Sequence, residues 1–408
     1  MKKILVYSHD TFGLGNIRRM LEISRHLAET DPDVSVLIVS GSPMLHAFRI
    51  PSRVDYLKLP CLARSVQGDY HVKYLDLGYD QTIRLRANLI VSAVLDFAPD
   101  LILVDKKPCG VGNELAAALD LLQRRGNRPK TVLLLRDILD APHETAQIWR
   151  KNGYHEAIEA FYDQVLVVGS QEVFDLTSEY DFPASSSRKV RYCGYLRRPP
   201  GQATRAQMRQ QLGIGEAPLV FISAGGGEDG HHLLSSYVQG LRALAHPPAF
   251  KTLLICGPEM SETQRRQIVG AAAPLSHVEV REFSDDMMGC MDAADLVVAM
   301  GGYNTTCEIL TLRKRAILVP RIRPVQEQWI RAERLDRLGL VRAIHPDALT
   351  PTGLLRAVQD ELGRGNVYPS GLYQLDLEGL PRIADSVSQL LYNGPKPVAA
   401  SRGREMVQ

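Results

Sequence analysis

No excess of charge of one sign runs through this sequence. Over 408 residues Lys and Arg nearly balance Asp and Glu, and the formal charge is +2. That balance removes the bulk attraction by which proteins gather on nucleic acid or anionic membranes. Arg334 and Arg337 stand among acidic residues and read as a solvated helix face. No run of about 18 apolar residues occurs, so no membrane-spanning helix is expected. The six cysteines (Cys61, Cys109, Cys193, Cys256, Cys290 and Cys307) form no Cys-x-x-Cys pair, and most lie in apolar runs. Buried structural thiols are expected, not a zinc site or a disulfide framework. Met1-Lys2-Lys3 leads at once into Ile4-Leu5-Val6-Tyr7, an apolar run too short for a signal peptide. The expected location is therefore a reducing cytoplasm.

What is present is a repeated alternation of strand, loop and helix. In the first half the strand candidates are Ile4–Ser8, Val34–Ser40, Leu101–Asp105, Thr131–Arg136 and Val165–Gly169. In the second half they are Leu219–Ser223, Thr252–Cys256, Val278–Glu282, Leu296–Ala299 and Ala316–Val319. Their apolarity is continuous, as in strands buried on both faces of a parallel sheet. Helical stretches lie between them, including Asn113–Arg125 and Asp285–Ala293, the latter with Ser284 as its expected N-cap. The fold class is α/β, with two doubly wound domains. The first is placed at 1–196, a Pro-rich linker at 197–201, the second at 202–380, a terminal helix at 381–392 that packs back on the first domain, and a flexible tail at 393–408.

Ligands of doubly wound sheets bind outside the carboxyl ends of the strands, so the loops there carry the chemistry. The first loop is Ser8-His9-Asp10-Thr11-Phe12-Gly13-Leu14-Gly15-Asn16-Ile17-Arg18. It lacks the third glycine of a dinucleotide fingerprint. His9 and Asp10 are both capable of proton transfer. The second loop, Ser223-Ala224-Gly225-Gly226-Gly227-Glu228-Asp229-Gly230, lets backbone approach a phosphate but lacks the Lys-Ser/Thr of a Walker loop. Its two acidic residues read most simply as helix caps.

The third loop is Ala299-Met300-Gly301-Gly302-Tyr303-Asn304-Thr305-Thr306-Cys307-Glu308. A strand ends there in Gly-Gly, and a helix begins with hydroxyl residues, so N–H groups and a positive helix end can meet a phosphate. Glu308, a turn further in, either accepts from a ribose diol or merely complements the helix dipole. The fourth loop, Pro320 to Gln328, offers Arg321 and Arg323 to a diphosphate and Glu327 or Gln328 to a sugar. Asp105, Arg136 and Asp137 place charge at strand ends of the first domain, with an Arg136–Asp137 ion pair as the competing reading.

With these loops in hand, the chain resembles the GT-B glycosyltransferases of family 28, which include the bacterial enzyme that adds N-acetylglucosamine to the lipid-linked peptidoglycan precursor. More narrowly, it resembles a branch of predicted bacterial glycosyltransferases with an N-terminal segment of the Ser8–Gly15 type. The likeness covers most of 1–392 in architecture. It is specific in 296–340, where Gly301-Gly302, Thr305, Glu308, Pro320 and Gln328 follow the family's order. It implies donor-binding roles for Gly225, Gly226, Gly227, Gly301, Gly302, Asn304, Thr305, Glu308, Arg321 and Gln328. The acceptor would meet Gly15, Asn16, Arg18, Asp105, Arg136 and Asp137.

One departure bears on mechanism. The family's N-terminal glycine loop usually ends in His, and Asn16 stands at that position here. An amide cannot take a proton at neutral pH, so His9 or Asp10 becomes the expected catalytic base. The implied reaction is an inverting transfer from a nucleotide-diphosphate sugar, a UDP-sugar favoured. The acceptor is a sugar, a small molecule or a lipid-linked compound, and the last would bring the chain to the inner face of the membrane. No cofactor, metal or nucleic acid is expected; Asp31-Pro32-Asp33 has the spacing of metal-dependent transferases but reads as a helix-to-strand turn. The alternatives are a nucleotide-sugar 2-epimerase and a non-catalytic nucleotide-sugar binding protein.

Overall fold

The computed structural model describes residues 1–8, 15–64, 69–126, 128–364 and 375–392. The expected tail at 393–408 lies outside them. Two parallel sheets dominate, with helices on both faces of each. The first contains β1 (Lys2–Ser8), β2 (Val34–Ser40), β3 (Val54–Lys58), β6 (Leu101–Asp105), β7 (Lys130–Arg136), β8 (Gln164–Val168) and β9 (Val190–Tyr192). A small antiparallel pair, β4 (Leu62–Arg64) and β5 (Tyr70–Val72), lies between β3 and β6 in the chain. The second sheet contains β10 (Leu219–Ser223), β11 (Lys251–Ile255), β12 (Val278–Arg281), β13 (Leu296–Ala299), β14 (Ala316–Leu318) and β15 (Arg342–Ala343).

Every residue of β6, β10 and β13 is buried, which is why these strands read as unbroken apolar runs. The strand orders are β3-β2-β1-β6-β7-β8-β9 and β12-β11-β10-β13-β14-β15. In each, the order reverses where the first strand of the domain meets the fourth of its main series: β1 beside β6, and β10 beside β13. Those two switch points are where crossover loops diverge and leave a crevice. The loops singled out in the sequence flank both of them.

Two local expectations are corrected. The helix that follows β12 is capped by Asp286, whose carboxylate accepts from Gly289 N at 2.9 Å; Ser284 instead accepts from Asp286 N at 3.3 Å. The helix expected at Asn113–Arg125 begins only at Ala116. Left-handed backbone at Gly112 and Asn113 (φ 56° and 62°) breaks the run before it. The Asp31–Asp33 segment is the turn between the helix Gly15–Thr30 and β2.

The chain crosses between the sheets twice, at neighbouring points. Tyr195 N donates to Asp376 O at 2.8 Å, and Arg197 N to Leu377 O at 3.2 Å, so the outgoing and returning segments pair antiparallel. Gly194 (φ 82°) runs so close to Asp376 that a Cβ there would lie 2.6 Å from its carboxyl carbon. The returning segment leads into the helix Gly379–Tyr392. That helix lies against Gly15–Thr30, and Tyr392 donates to Asp31 at 2.8 Å.

Candidate active site

The carboxyl ends of β1, β6 and β7 face those of β10, β13 and β14 through side chains that bond across the two domains. Asp137, directly after β7, is 1% exposed, and Arg331, on the helix Glu327–Arg337, is 0% exposed. Arg331 grips that carboxylate in a fork, Nε to Oδ2 at 2.7 Å and Nη2 to Oδ1 at 2.8 Å. Its Nη1 also donates to Gly301 O at 3.1 Å, which ties the turn before the helix Tyr303–Leu312 to the same group. Tyr195 O–H completes the shell of Asp137 at 3.2 Å. A fork of charge-assisted bonds is the strongest arrangement available to an arginine and a carboxylate.

Glu327 lies beside this pair, 2.8 Å from Arg331 and 3.5 Å from Arg136 of the first domain. Burial alone would raise its pKa; Arg136, Arg331 and Arg321 together outweigh that and hold it at about 2. Arg136 and Asp137 are thus not paired with each other. Each bonds across to the second domain, because their side chains leave consecutive residues in different directions.

A second seam runs along the start of the helix Gly15–Thr30. Asn304 donates to Gly15 O at 3.2 Å, and Arg198 donates to Asn304. Arg18 reaches across to Glu308 at 2.8 Å; the glutamate side chain is only 4% exposed. Arg19 is buried, pairs with Asp105 at 2.6 Å and lies over the Tyr303 ring. Asn16 accepts from Arg19 at 3.3 Å. Asp137 is closed off from solvent and committed to Arg331; Asp105 is buried too, with Oδ1 on Arg19 and Oδ2 without a hydrogen-bond partner among the described residues. Gly15, Asn16, Arg18 and Arg136 are the expected acceptor residues that stay at the cleft. His9 and Asp10 lie outside the described residues.

On the second domain, Gly225 (φ 67°) and Gly227 (φ 103°) make a tight turn after β10. A Cβ at Gly227 would sit 2.6 Å from Cys256 O, so only glycine fits. Asp229 does not cap the following helix; it pairs with Arg321 at 2.5 Å. Gly301 (φ 75°) turns the chain after β13, and Gly302 precedes the helix Tyr303–Leu312 with no side-chain cap. The first N–H groups of that helix, at Gly302 to Thr305, consequently lack intrahelical partners. Gln328 Oε1 accepts from Arg321 N at 3.3 Å. A cavity of about 380 Å³ opens between the loop after β14 and the start of the helix His231–Arg242, with Asp229, His232, Met300, Arg321 and Arg323 in its wall. The structure thus brings the Gly301–Glu308 turn, Arg321 and Gln328 together. It sets Gly225–Gly227 across the switch point from them.

Sequence reasoning missed Arg331 and Arg198. Arg331 stood one helical turn from Glu327, a visible spacing for a local pair. Its main partner lies 194 residues away, which no local pattern shows. Among the described residues no group of three or more His, Cys, Asp and Glu is arranged to hold a metal ion. No described helix is long and apolar enough to cross a membrane.

Two doubly wound domains whose strand ends meet across one cleft define the GT-B fold. The model of the glycosyltransferase family 28 C-terminal domain matches residues 221–368, within the second domain. An uncharacterized glycosyltransferase of Methanopyrus kandleri is 25% identical over 232 residues, 56% of this chain and 62% of that protein. The UDP-N-acetylglucosamine–N-acetylmuramyl-(pentapeptide) pyrophosphoryl-undecaprenol N-acetylglucosamine transferase of Glaesserella parasuis is 37% identical over 78 residues. That match spans 19% of this chain and 22% of the relative. The chain thus covers less than two thirds of either protein. The crystal structure of Acinetobacter baumannii MurG superposes with a TM-score of 0.62 at 16% identity, covering 95% of this chain and 100% of the other.

Proposed function

We propose that this protein transfers a sugar from a nucleotide-diphosphate donor, a UDP-sugar by analogy with the named relatives, to a hydroxyl of an acceptor. The observation that carries the reading is the uncapped helix start at Gly302–Thr305, set beside Gly225–Gly227 across the second switch point, with Glu308 behind it. Free N–H groups at a helix start favour a diphosphate, and they favour it more as negative charge grows on the leaving group. Arg321, whose guanidinium pairs with Asp229, lines the neighbouring cavity together with Met300 and Arg323. The free N–H groups supply the stabilisation that a metal would otherwise give.

In the reaction the acceptor oxygen bonds to the anomeric carbon from the face opposite the diphosphate. The anomeric carbon–oxygen bond breaks, its electron pair stays on the nucleoside diphosphate, and configuration inverts. Glu308 is held by Arg18 in this structure; a ribose diol offers two O–H donors in place of that guanidinium. Gln328 is the proposed contact to the donor sugar, and Asn16, Arg18 and Arg136 the proposed contacts to the acceptor. A lipid-linked acceptor would place the protein at a membrane surface.

The test is a thermal-shift panel with UDP, GDP, dTDP, CDP and NAD, followed by incubation of the matching nucleotide sugar with pooled hydroxyl acceptors and mass analysis. A ligand at about 100 times its dissociation constant adds roughly 2.7 kcal/mol to the folded state. A shift with one diphosphate and a product heavier by one sugar is expected. A shift with NAD alone would end the reading. So would conversion of the donor to an isomeric sugar with no acceptor present, which is the 2-epimerase outcome.

A further inference from the structure

The cavity beside the donor loops is lined by the second domain alone. It holds about 380 Å³, within the range of small-molecule sites, roughly 300–1,000 Å³. Much of its wall is apolar: the buried Leu233, Val319 and Leu349, with Met300 and Ile322 beside them. Its polar wall is one-sided. Asp229 and Arg321 line it together, paired at 2.5 Å, so that carboxylate is already engaged. Asp347, the other acid in the wall, lies 3.6 Å from His345. What is left unengaged is rich in donors. Arg321 Nε is buried without a hydrogen-bond partner. Arg323 and His232, both exposed, make no hydrogen bond or ion pair with any described residue. The helix His231–Arg242 starts at this wall with no side-chain cap, so its first N–H groups lack intrahelical partners. A buried donor left unmade is costly, and a bound acceptor removes that cost.

We propose that this cavity is a second ligand site, separate from the donor crevice, for a small amphipathic anion. The apolar body of the ligand lies against Leu233, Val319 and Leu349. Its carboxylate, sulfonate or phosphate head is held by Arg323, His232 and Arg321 Nε. Two residues link the site to the proposed donor loops. Met300 precedes Gly301 of the donor turn, and Arg321 N–H holds Gln328 Oε1 at 3.3 Å. An occupant therefore bears on the side chain proposed to meet the donor sugar. That consequence rests on the transfer reading; the site itself does not.

The test titrates 8-anilinonaphthalene-1-sulfonate, whose fluorescence rises in apolar surroundings, into the full chain. Its uncharged counterpart, N-phenyl-1-naphthylamine, carries the same rings without the sulfonate. One saturable sulfonate site is expected, with the neutral compound at least about tenfold weaker, the worth of a charge-assisted bond. Arg323→Ala/His232→Ala should weaken the sulfonate by at least about tenfold and leave the neutral compound unchanged. Leu349→Trp, which fills the cavity, should remove both. Lack of a saturable site, equal binding of the two compounds, or a double variant that binds the sulfonate as the wild type does would each overturn the proposal. So would a folded Leu349→Trp that still binds it. The nucleoside diphosphate that shifts the Tm is then added at rising concentration. At a separate site the apparent Kd of the sulfonate stays constant or changes to a plateau. A rise without limit is direct competition; it puts the cavity inside the donor crevice and overturns the proposal. If no nucleotide binds while the sulfonate results hold, the transfer reading falls and the second site stands.

Discussion

Arg331 is the group whose loss should cost most. It donates to Asp137 twice (2.7 and 2.8 Å), to Glu327 at 2.8 Å and to Gly301 O at 3.1 Å, with no exposure to water. Substituting Arg331→Met keeps most of the volume but strands the Asp137 carboxylate, leaving it only Tyr195 O–H and its own loop backbone. Removing one partner of a buried pair costs about 3–5 kcal/mol, because the other charge stays out of water uncompensated. Asp137→Asn should cost less, since Arg331 keeps Glu327 and Gly301 O. The double variant Arg331→Met/Asp137→Asn should recover part of the loss, because neither charge then remains. Urea unfolding of the full chain, followed by circular dichroism, gives the four corners of a double-mutant cycle. A cost below about 1 kcal/mol for Arg331→Met, the range of exposed pairs, would refute the claim that this pair is dry and locks the two domains.

Arg18→Ala removes a competitor for Glu308 and should tighten nucleoside diphosphate binding by up to about fivefold, the worth of a partly exposed ion pair; Glu308→Gln should weaken it by at least about tenfold, and calorimetry reads both. Gly227→Ala places a Cβ 2.6 Å from Cys256 O at φ 103°, so a loss of about 1–3 kcal/mol in unfolding free energy is expected, together with loss of the nucleotide-induced thermal shift. Glu327 has a folded pKa near 2, below its ordinary value of 4.5, so its stabilisation is complete above about pH 4.5 and fades as pH falls toward 2. Glu327→Gln should therefore flatten the acid side of a Tm–pH curve; an unchanged slope would count against the Arg136–Glu327–Arg331 cluster.

The ten central strands were legible because a parallel sheet buried on both faces leaves an unmistakable mark, five buried residues in a row at Leu101–Asp105 and again at Leu219–Ser223; β3, β9, β15 and the small β4–β5 pair, which carry no such run, were not. The glycine turns were legible for a similar reason, since Gly225, Gly227 and Gly301 take left-handed backbone that other residues rarely adopt. Side-chain partnership was not. Arg136 and Asp137 are neighbours of opposite charge, and adjacency suggested a pair, yet each bonds to the other domain. The Arg18–Glu308 contact likewise depends on two helices meeting through the third dimension. Ser284 failed as a cap because a better placed carboxylate lay two residues on, and a hydroxyl and a carboxylate compete for the same N–H groups.

The doubled crossing at Tyr195–Arg197 and Asp376–Glu378 has a mechanical consequence. One tether would let the domains swing and twist freely; two antiparallel tethers, laced by backbone bonds and squeezed together at Gly194, behave as a strap. A strap bends readily about the axis across its width and resists torsion along its length. The seam begins at the strap itself: Tyr195 O–H bonds to Asp137, the carboxylate that Arg331 grips, so the hinge and the lock share one residue.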